Sequence, residues 1–271
     1  MSRVEPIRRL LRGCPPLFRF ARAVYRFVNR CYQPLRKRRE RALIDRFHKL
    51  YYHGSYGEPG HWQGFKWFGV PILKCPMDVC VYQEILFRTR PEIIVETGVQ
   101  QGGSTLFLAH LCDLMEQGRV LACDITLENV YEPVRSHPRV ELFEGSSTAP
   151  AIVEQICERC RGRRTMVVLD SDHRRDHVAA ELECYAPLVS PGCYLICEDT
   201  NINGHPVYPD FGPGPHEAVA SFLRENPQFE VDADCERLLL TFNPSGYLRR
   251  RDDGSAAESR SGPPVRTSWG G

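Results

Sequence analysis

The fold is decided by two stretches of this 271-residue chain: Val167-Val168-Leu169-Asp170-Ser171-Asp172-His173 and Leu195-Ile196-Cys197-Glu198-Asp199-Thr200. Each begins as an apolar, β-branched run, as buried parallel strands do, and then ends abruptly in acidic residues. Two adjacent parallel strands of this kind would bring Asp170, Glu198 and Asp199 to one sheet edge, with His173 one turn away. Carboxylate oxygens are the ligands that Mg²⁺ prefers, so the pattern predicts a site for a divalent cation.

Strand and helix patterns alternate along the chain around these stretches. The predicted strands are Glu92–Thr97, Arg119–Asp124, Arg139–Phe143, Thr165–Asp170, Cys193–Glu198 and Arg237–Phe242. The predicted helices are Met77–Arg88, Ser104–Glu116, Ala149–Cys160, Asp176–Tyr185 and Pro215–Asn226. Such alternation predicts an α/β protein, with a mostly parallel sheet and helices on both of its faces.

The first predicted strand ends in a glycine-containing loop, Glu96-Thr97-Gly98-Val99-Gln100-Gln101-Gly102-Gly103-Ser104. Glycine lets the backbone turn sharply and approach a ligand, and the next helix offers its N-terminal amides. The spacing differs from the Gly-x-Gly-x-x-Gly of dinucleotide-binding enzymes and suits an S-adenosylmethionine (SAM) site. Asp124 ends the second strand, 26 residues after Gly98, where a carboxylate can accept hydrogen bonds from ribose hydroxyls. Ser146 and Ser147 are predicted to line the adenine side.

The acidic strand ends predict acid–base chemistry beside the metal. Three protein carboxylates leave Mg²⁺ with positions for water or a substrate oxygen. A hydroxyl bound there has a lowered pKa, and a neutral imidazole can remove its proton. His173 is the predicted general base; the alternative is an ordinary surface histidine at a helix start.

The long segment Thr200–Pro215 follows the last acidic strand end. A loop of this length beside an active site commonly forms a lid or a substrate wall. His205, Tyr208 and Asp210 are therefore candidate substrate contacts, or else ordinary polar residues of the loop.

Lysine is scarce, with only Lys37, Lys49, Lys66 and Lys74. None of them is expected in the site, which argues against Schiff-base chemistry and against a P-loop nucleoside triphosphatase. The twelve cysteines are expected to be reduced thiols of a cytoplasmic protein, because no second pair accompanies Cys157 and Cys160 at zinc-binding spacing.

Charge and composition divide the chain into three parts: a basic amphipathic N-terminal extension (1–50), a central domain (51–250) and a polar tail expected to be disordered (251–271). The extension holds 15 Lys and Arg against 3 Asp and Glu. At helical spacing Arg19, Arg22, Arg26 and Arg30 share one face, opposite Phe20, Val24, Phe27 and Val28. Such a helix suits an anionic membrane surface, at the inner face, or a partner subunit. Packing on its own domain is an equal alternative, and nucleic acid is disfavoured because no recognition motif is present.

Further motifs accompany the glycine loop and the acidic strand ends: Lys74-Cys75-Pro76-Met77-Asp78, Gly212-Pro213-Gly214-Pro215 and Thr241-Phe242-Asn243-Pro244-Ser245-Gly246-Tyr247-Leu248. With them the chain resembles the cephalosporin hydroxylase/rhamnosyl O-methyltransferase family over about residues 60–250. The resemblance implies a Rossmann-like class I SAM-dependent methyltransferase fold, with a seven-stranded sheet whose last strand is antiparallel. It also implies O-methylation of a hydroxyl on a sugar, a glycan, a glycolipid or a natural-product scaffold, with SAM and Mg²⁺ as cofactors.

Position by position, the resemblance makes Asp170, Glu198 and Asp199 metal ligands and His173 the general base. It makes Glu96, Gly98, Ser104 and Asp124 contacts of SAM, and Gly102, Ser146 and Ser147 complete the predicted SAM site. The acceptor molecule and the oligomeric state, a homo-oligomer included, stay open.

Two other classes of function compete with this prediction. A nicotinamide-dependent oxidoreductase on a similar sheet is disfavoured by the glycine spacing. A non-catalytic protein that binds membranes or partners through its basic extension would not need the acidic residues and the histidine at the strand ends.

Overall fold

The computed structural model describes residues 15–54 and 59–252, with side chains from residue 32 onward. The predicted arginine face between Arg19 and Arg30 lies outside the described side chains, and the predicted tail lies outside the described residues from 253 onward.

A seven-stranded sheet forms the centre of the molecule. Its strands are β3 (Ile93–Thr97), β4 (Arg119–Asp124), β5 (Val140–Glu144), β6 (Thr165–Leu169), β7 (Tyr194–Cys197), β8 (Phe229–Val231) and β9 (Tyr247–Arg250), in the spatial order β5-β4-β3-β6-β7-β9-β8. The first five are parallel, and β9 runs antiparallel to both β7 and β8. A separate two-stranded hairpin consists of β1 (Lys66–Trp67) and β2 (Val70–Pro71). The predicted fold class is confirmed, including the antiparallel last strand.

Helices cover both faces of the sheet. They are α1 (Pro15–His53), α2 (Pro76–Thr89), α3 (Gly103–Leu114), α4 (Glu132–Arg135), α5 (Pro150–Cys160), α6 (Arg175–Tyr185) and α7 (Pro215–Glu225), with short 3₁₀ helices at His61–Gly64, Ala186–Leu188 and Ala233–Glu236. Alternate residues of each strand face opposite sides: Ile94 packs with α2 and α3, whereas Ile93 and Val95 pack with α5, α6 and α7. Both faces are apolar, which explains the continuous hydrophobic runs in the sequence.

One predicted strand, Arg237–Phe242, is wrong. These residues form a turn and a loop, and the terminal hairpin uses β8 and β9 instead. Leu239 has a φ of +73°, which no strand accommodates. Leu240 and Phe242 are buried, but against Tyr52 and Ile202 rather than in the sheet. The apolar run therefore serves a separate small core, which period-2 patterning cannot distinguish from a strand.

The C-terminal end of α1 packs on the domain and passes the boundary predicted at residue 50. His48 is buried, stacks on Phe242 at 5.6 Å between ring centroids and contacts Asn201 Nδ2 at 3.0 Å. Tyr52 stacks on Trp62. Upstream of His48, large apolar side chains of α1 are exposed: Tyr32, Leu35, Leu43 and Phe47. No helix in the described part of the chain is long and apolar enough to cross a membrane.

Candidate functional site

A cavity of about 630 Å³ opens at the carboxyl ends of the parallel strands. This is where ligands bind in open α/β sheets. Its lining includes the glycine loop after β3, the end of β4, the turn after β5 and the acidic ends of β6 and β7. An apolar side of the wall consists of Trp62, Pro71, Ile72 and Leu73. The fold thus brings seven separate sequence segments together around one space.

Backbone contact joins the glycine loop to the end of β6. Gly98 has a φ of +86°, and a Cβ at this position would lie 1.9 Å from the carbonyl oxygen of Asp170. The Asp124 carboxylate holds the loop from its other side, because its Oδ2 accepts hydrogen bonds from the amides of Val99 (2.8 Å) and Gln100 (2.7 Å). The loop is therefore fixed by both neighbouring strands.

The turn after β5 contributes a polar wall around His177. The His177 Nε2 lies 3.1 Å from both Ser147 Oγ and Ser171 Oγ, and Ser171 donates to the buried Glu181. Contact with Glu181 raises the pKa of His177. Ser146 lines the same part of the cavity. This wall faces the glycine loop, where a nucleoside would lie.

Three predicted residues meet at the other end of the cavity. Ligand atoms of Asp170, His173 and Asp199 all lie within 4.8 Å of one another, and His173 Nε2 is 3.2 Å from Asp199 Oδ2. Two carboxylates and an imidazole at this spacing can hold a divalent cation. Oxygen ligands favour Mg²⁺ or a similar hard ion, so the residues present fit the predicted metal.

Asp199 sits in a constrained backbone position. Its φ is +53°, a left-handed conformation that non-glycine residues rarely adopt. The buried Asn243 fixes this turn, because its Oδ1 accepts a hydrogen bond of 3.0 Å from the Asp199 amide. The turn directs the peptide after β7 sharply away from the sheet, and the Asp199 side chain reaches the cavity.

Glu198 lies behind the cavity wall and contacts a lysine. The Nζ of Lys74 donates to Glu198 Oε1 at 2.7 Å and to Asp170 Oδ2 at 2.9 Å. The Tyr82 hydroxyl also donates to Glu198 Oε1. The expectation that no lysine lies in the site is wrong: Lys74 comes from the segment before α2, whose proximity to the strand ends only the tertiary fold creates.

Burial and like charge raise the carboxyl pKa values in this cluster. Burial raises the pKa of Asp170 and of Asp199, and the Glu198 carboxylate raises both further, against the opposing charges of Lys74 and His173. Burial alone would lower the pKa of Lys74. The negative charges of Asp170 and Glu198 have the larger effect, so the pKa of Lys74 is raised. The cluster is short of positive charge, which a divalent cation would supply.

Gly98, Ser104, Asp124, Ser146 and Ser147 of the predicted SAM set line the cavity. Gly102 and Glu96 lie behind it. A Cβ at Gly102 would contact Val134 at 2.7 Å, so this glycine permits helix packing. Buried Glu96 accepts a hydrogen bond from Thr105 at 2.5 Å, and its Oε1 has no hydrogen-bond partner among the described residues. Both residues support the glycine loop from the side that faces away from the cavity.

The candidate substrate contacts of the long loop do not line the cavity. His205 contacts Glu217 Oε1 at 3.0 Å and stacks on His216, while Tyr208 packs against Tyr52. Residues that the sequence analysis overlooked do reach it: Trp62 and His177. The available signal for His177 was its position four residues after His173, which is one helical turn; Trp62 had none beyond its place in an aromatic-rich segment.

Comparison with known proteins agrees with this geometry. The family model described as rhamnosyl O-methyltransferase/CmcI matches residues 59–251. The rhamnosyl O-methyltransferase of Mycobacterium leprae (strain TN) is 38% identical over 216 residues, which is 78% of this chain and 91% of that protein. The rhamnosyl O-methyltransferase of Mycobacterium tuberculosis (strain H37Rv) is 38% identical over 215 residues, covering 77% of this chain and 85% of the relative.

Solved structures share the fold. The ligand-free structure of CmcI-N160 has a TM-score of 0.55 at 22% identity and covers 70% of this chain and 77% of its own. The Mg–SAM structure of cmcI-D160 has a TM-score of 0.56 at 22% identity, with 69% and 77% covered. Because the family model spans most of the chain and the relatives align over most of their length, the chain belongs to the rhamnosyl O-methyltransferase/CmcI family.

Proposed function

We propose that the protein transfers the methyl group of SAM to a hydroxyl of a sugar, glycan, glycolipid or natural-product scaffold, with the assistance of Mg²⁺. The observation that carries the proposal is the single cavity in which a nucleoside-type glycine loop faces a cluster of two carboxylates and a histidine. Family membership supports the same enzyme class. It also argues against the nicotinamide-dependent and non-catalytic alternatives.

The glycine-loop half of the cavity is the proposed SAM site. Gly98 and Ser104 would meet the amino-acid part of SAM, and Asp124 the ribose. Ser146 and Ser147 would lie at the adenine. Glu96 and Gly102 support this loop from behind rather than from the cavity.

The acidic half is the proposed metal and acceptor site. Asp170, Glu198 and Asp199 are the proposed ligands, of which Asp170 and Asp199 face the cavity. A divalent cation supplies Lewis acidity, which lowers the pKa of an acceptor hydroxyl. His173 would take the proton from that hydroxyl. The hydroxyl oxygen would then bond to the methyl carbon in line as the bond from that carbon to the SAM sulfur breaks, with S-adenosylhomocysteine as the leaving group. Holding the two reactants in this geometry supplies much of the rate.

The apolar wall is the proposed platform for the acceptor. The Trp62 side chain is held by the hydrogen bond from its Nε1 to the carbonyl oxygen of Tyr52 (3.0 Å). Sugar rings have an apolar face, and an aromatic ring is a suitable surface for it. Trp62, Ile72 and Leu73 would therefore position a deoxysugar with its hydroxyls toward the acidic half.

The decisive experiment replaces His173 by Ala. With labelled SAM, Mg²⁺ and a panel of deoxysugar glycans, we expect methyl transfer to fall by about 100-fold or more. SAM affinity measured by calorimetry should stay within about 2-fold, because general acid–base groups contribute to the transition state. His137→Ala, at the opposite end of the sheet, is the matched control. Loss of SAM binding in the His173 variant would refute the assignment, and activity insensitive to chelators would refute the metal role.

We further propose that α1 attaches the protein to an anionic membrane surface. Tyr32, Leu35, Leu43, Phe47 and Leu50 are exposed and fall within an arc of about 120° on a helix. Basic side chains lie both within this arc and around it: Arg36, Lys37, Arg38, Arg39, Arg41, Arg46 and Lys49. A stripe of exposed apolar side chains on a strongly basic helix suits the interface of an anionic bilayer. Such attachment at the inner membrane face would favour a lipid-linked acceptor.

Vesicle flotation tests the membrane proposal. The protein should float with vesicles of phosphatidylcholine and phosphatidylglycerol but not with phosphatidylcholine alone, and Leu43→Glu with Phe47→Glu should abolish flotation. Leu114→Glu, which changes a leucine on α3 that is more exposed than Leu43 or Phe47, should float like the wild type. If the α1 variant instead changes only the mass measured by light scattering, the stripe is a homo-oligomer interface and the membrane proposal fails.

A further inference from the structure

The acidic cluster contains its own buried cation. Lys74 is only 2% exposed, and its Nζ bridges carboxylates from the ends of two adjacent strands, Asp170 after β6 and Glu198 after β7. These partners are 96 and 124 residues away in the sequence. The cavity touches Asp170 and Asp199 but neither Lys74 nor Glu198. The ammonium group thus stands on the protein side of the cluster, opposite the side open to ligands.

Backbone constraints on both sides hold Lys74 in this place. Leu73, which lines the cavity, has a φ of +51°. On the other side, Cys75 caps α2 and Pro76 opens that helix, where its fixed φ is favourable. These constraints fix the backbone from which the Lys74 side chain extends into the acidic cluster.

The three carboxylates and Lys74 together carry a net negative charge. With Asp170, Glu198 and Asp199 ionised and Lys74 protonated, the sum of −3 and +1 is −2, which one divalent cation neutralises. Without Lys74 the same three carboxylates would carry −3. Unpaired buried charge is strongly destabilising, so either Lys74 or a bound cation must compensate for Glu198 and Asp170.

We propose that Lys74 is a positioning residue that acts as an internal counter-charge: it holds Asp170 and Glu198 in place without metal and weakens the attraction of the cluster for a divalent cation. This inference rests on the metal site of the proposed function. It follows that Lys74 keeps the ligand-free protein folded with its carboxylates arranged, and that metal binding stays reversible because the cluster is already partly neutralised.

The test compares Lys74→Met with Lys66→Met, an exposed lysine on β1, in the full-length protein. Mg²⁺ and Mn²⁺ affinities are measured by calorimetry without SAM, and thermal unfolding is followed with chelator and with Mg²⁺. Lys74→Met should bind the cations about 10-fold more tightly, because a nearby like charge is removed. Its unfolding temperature should fall in chelator and recover in Mg²⁺, since a ligand that binds only the folded state stabilises it.

Two further variants keep the result decisive. Lys74→Arg retains the charge and should keep the metal affinity within about 3-fold of the wild type. Lys74→Gln retains a hydrogen-bond donor and is measured in parallel, so that failure of the Met variant to fold leaves the comparison intact. The role of Lys74 alone would be refuted if the Met and Gln variants bound the cations no more tightly than the wild type does, and if Mg²⁺ raised their unfolding temperatures no more than it raises that of the wild type. If the wild type also binds no divalent cation, the proposed metal site fails with it.

Discussion

Gly98 is the residue at which the two halves of the cavity meet. Its position leaves no room for a side chain, because the backbone of Asp170 and the Cα of Ser171 occupy the space where a Cβ would lie. The proposed nucleoside-binding loop and the proposed metal-binding strand end are therefore in direct backbone contact.

Replacing Gly98 by Ala should damage both halves at once. The variant must push the Asp170 backbone away and adopt a left-handed conformation, so we expect a loss of about 2–3 kcal/mol in the free energy of unfolding. Urea denaturation and SAM calorimetry measure the effect. Gly69→Ala is the control, because Gly69 has a similar φ of +87° but nothing within 4 Å of its Cβ position. Equal losses in the two variants would show that steric contact at Gly98 is unimportant.

At this scale the sequence predicted Asp170, Asp199 and His173 as neighbours, and they lie together. That success depended on a local signal, the acidic end of an apolar run. Lys74 carries no such signal, because its partners lie far along the chain and a lysine before a helix is ordinarily solvated. For both reasons, Lys74 was not predicted as part of the site.

Among the elements, α2 is tied to the end of the chain through a buried carboxylate. Asp78, in its first turn, accepts hydrogen bonds from the Phe242 amide (2.8 Å) and from the Tyr247 hydroxyl (2.9 Å). Burial raises its pKa from 3.8 to about 7, and nearby Glu198 adds to the shift. The helix, the loop and β9 are thus joined by a group that titrates near neutral pH.

Stability should depend on pH through Asp78. Because its pKa is higher in the folded state than in the unfolded state, its contribution is complete below about pH 4 and is lost as the pH rises through about 7. Wild-type protein should therefore lose unfolding free energy between about pH 4 and pH 7 relative to Asp78→Asn. Urea titrations at several pH values check this, with the exposed Asp210→Asn as control. Parallel pH profiles for the wild type and Asp78→Asn would contradict it.

Strands and helices were predicted correctly where the buried positions follow the period of the element in the sequence. The five parallel strands and the five predicted helices begin and end within two residues of their predicted positions, whereas α4, β8 and β9 were not predicted. Arg237–Phe242 failed because its apolar residues pack against α1, and a contact with the N-terminal helix leaves no mark on the local pattern.

In the whole molecule, α1 is both an extension and a part of the domain. Its end contributes His48 and Tyr52 to the small core that also supports Trp62. A domain boundary at residue 50, chosen from the distribution of charge, would separate His48 from Tyr52 in this core. The composition shows that the segment is basic but not which turns of the helix are buried.

Two truncated proteins separate these roles. Deletion of residues 1–53 should lower the unfolding temperature by about 5–10 °C relative to deletion of residues 1–42, since only the longer deletion removes the buried His48 and Tyr52. Differential scanning calorimetry of the pair gives the difference directly. Equal unfolding temperatures would mean that this packing contributes nothing to stability.

The left-handed turn at Asp199 also bears on how the family could diverge. Asn tolerates this backbone conformation at least as well as Asp, and Gly better still. Each is one nucleotide change away from an aspartate codon. The proposed metal ligand Asp199 can therefore be lost with little or no penalty to folding, so a stable descendant that still binds SAM but no longer methylates would be a short mutational step from this protein.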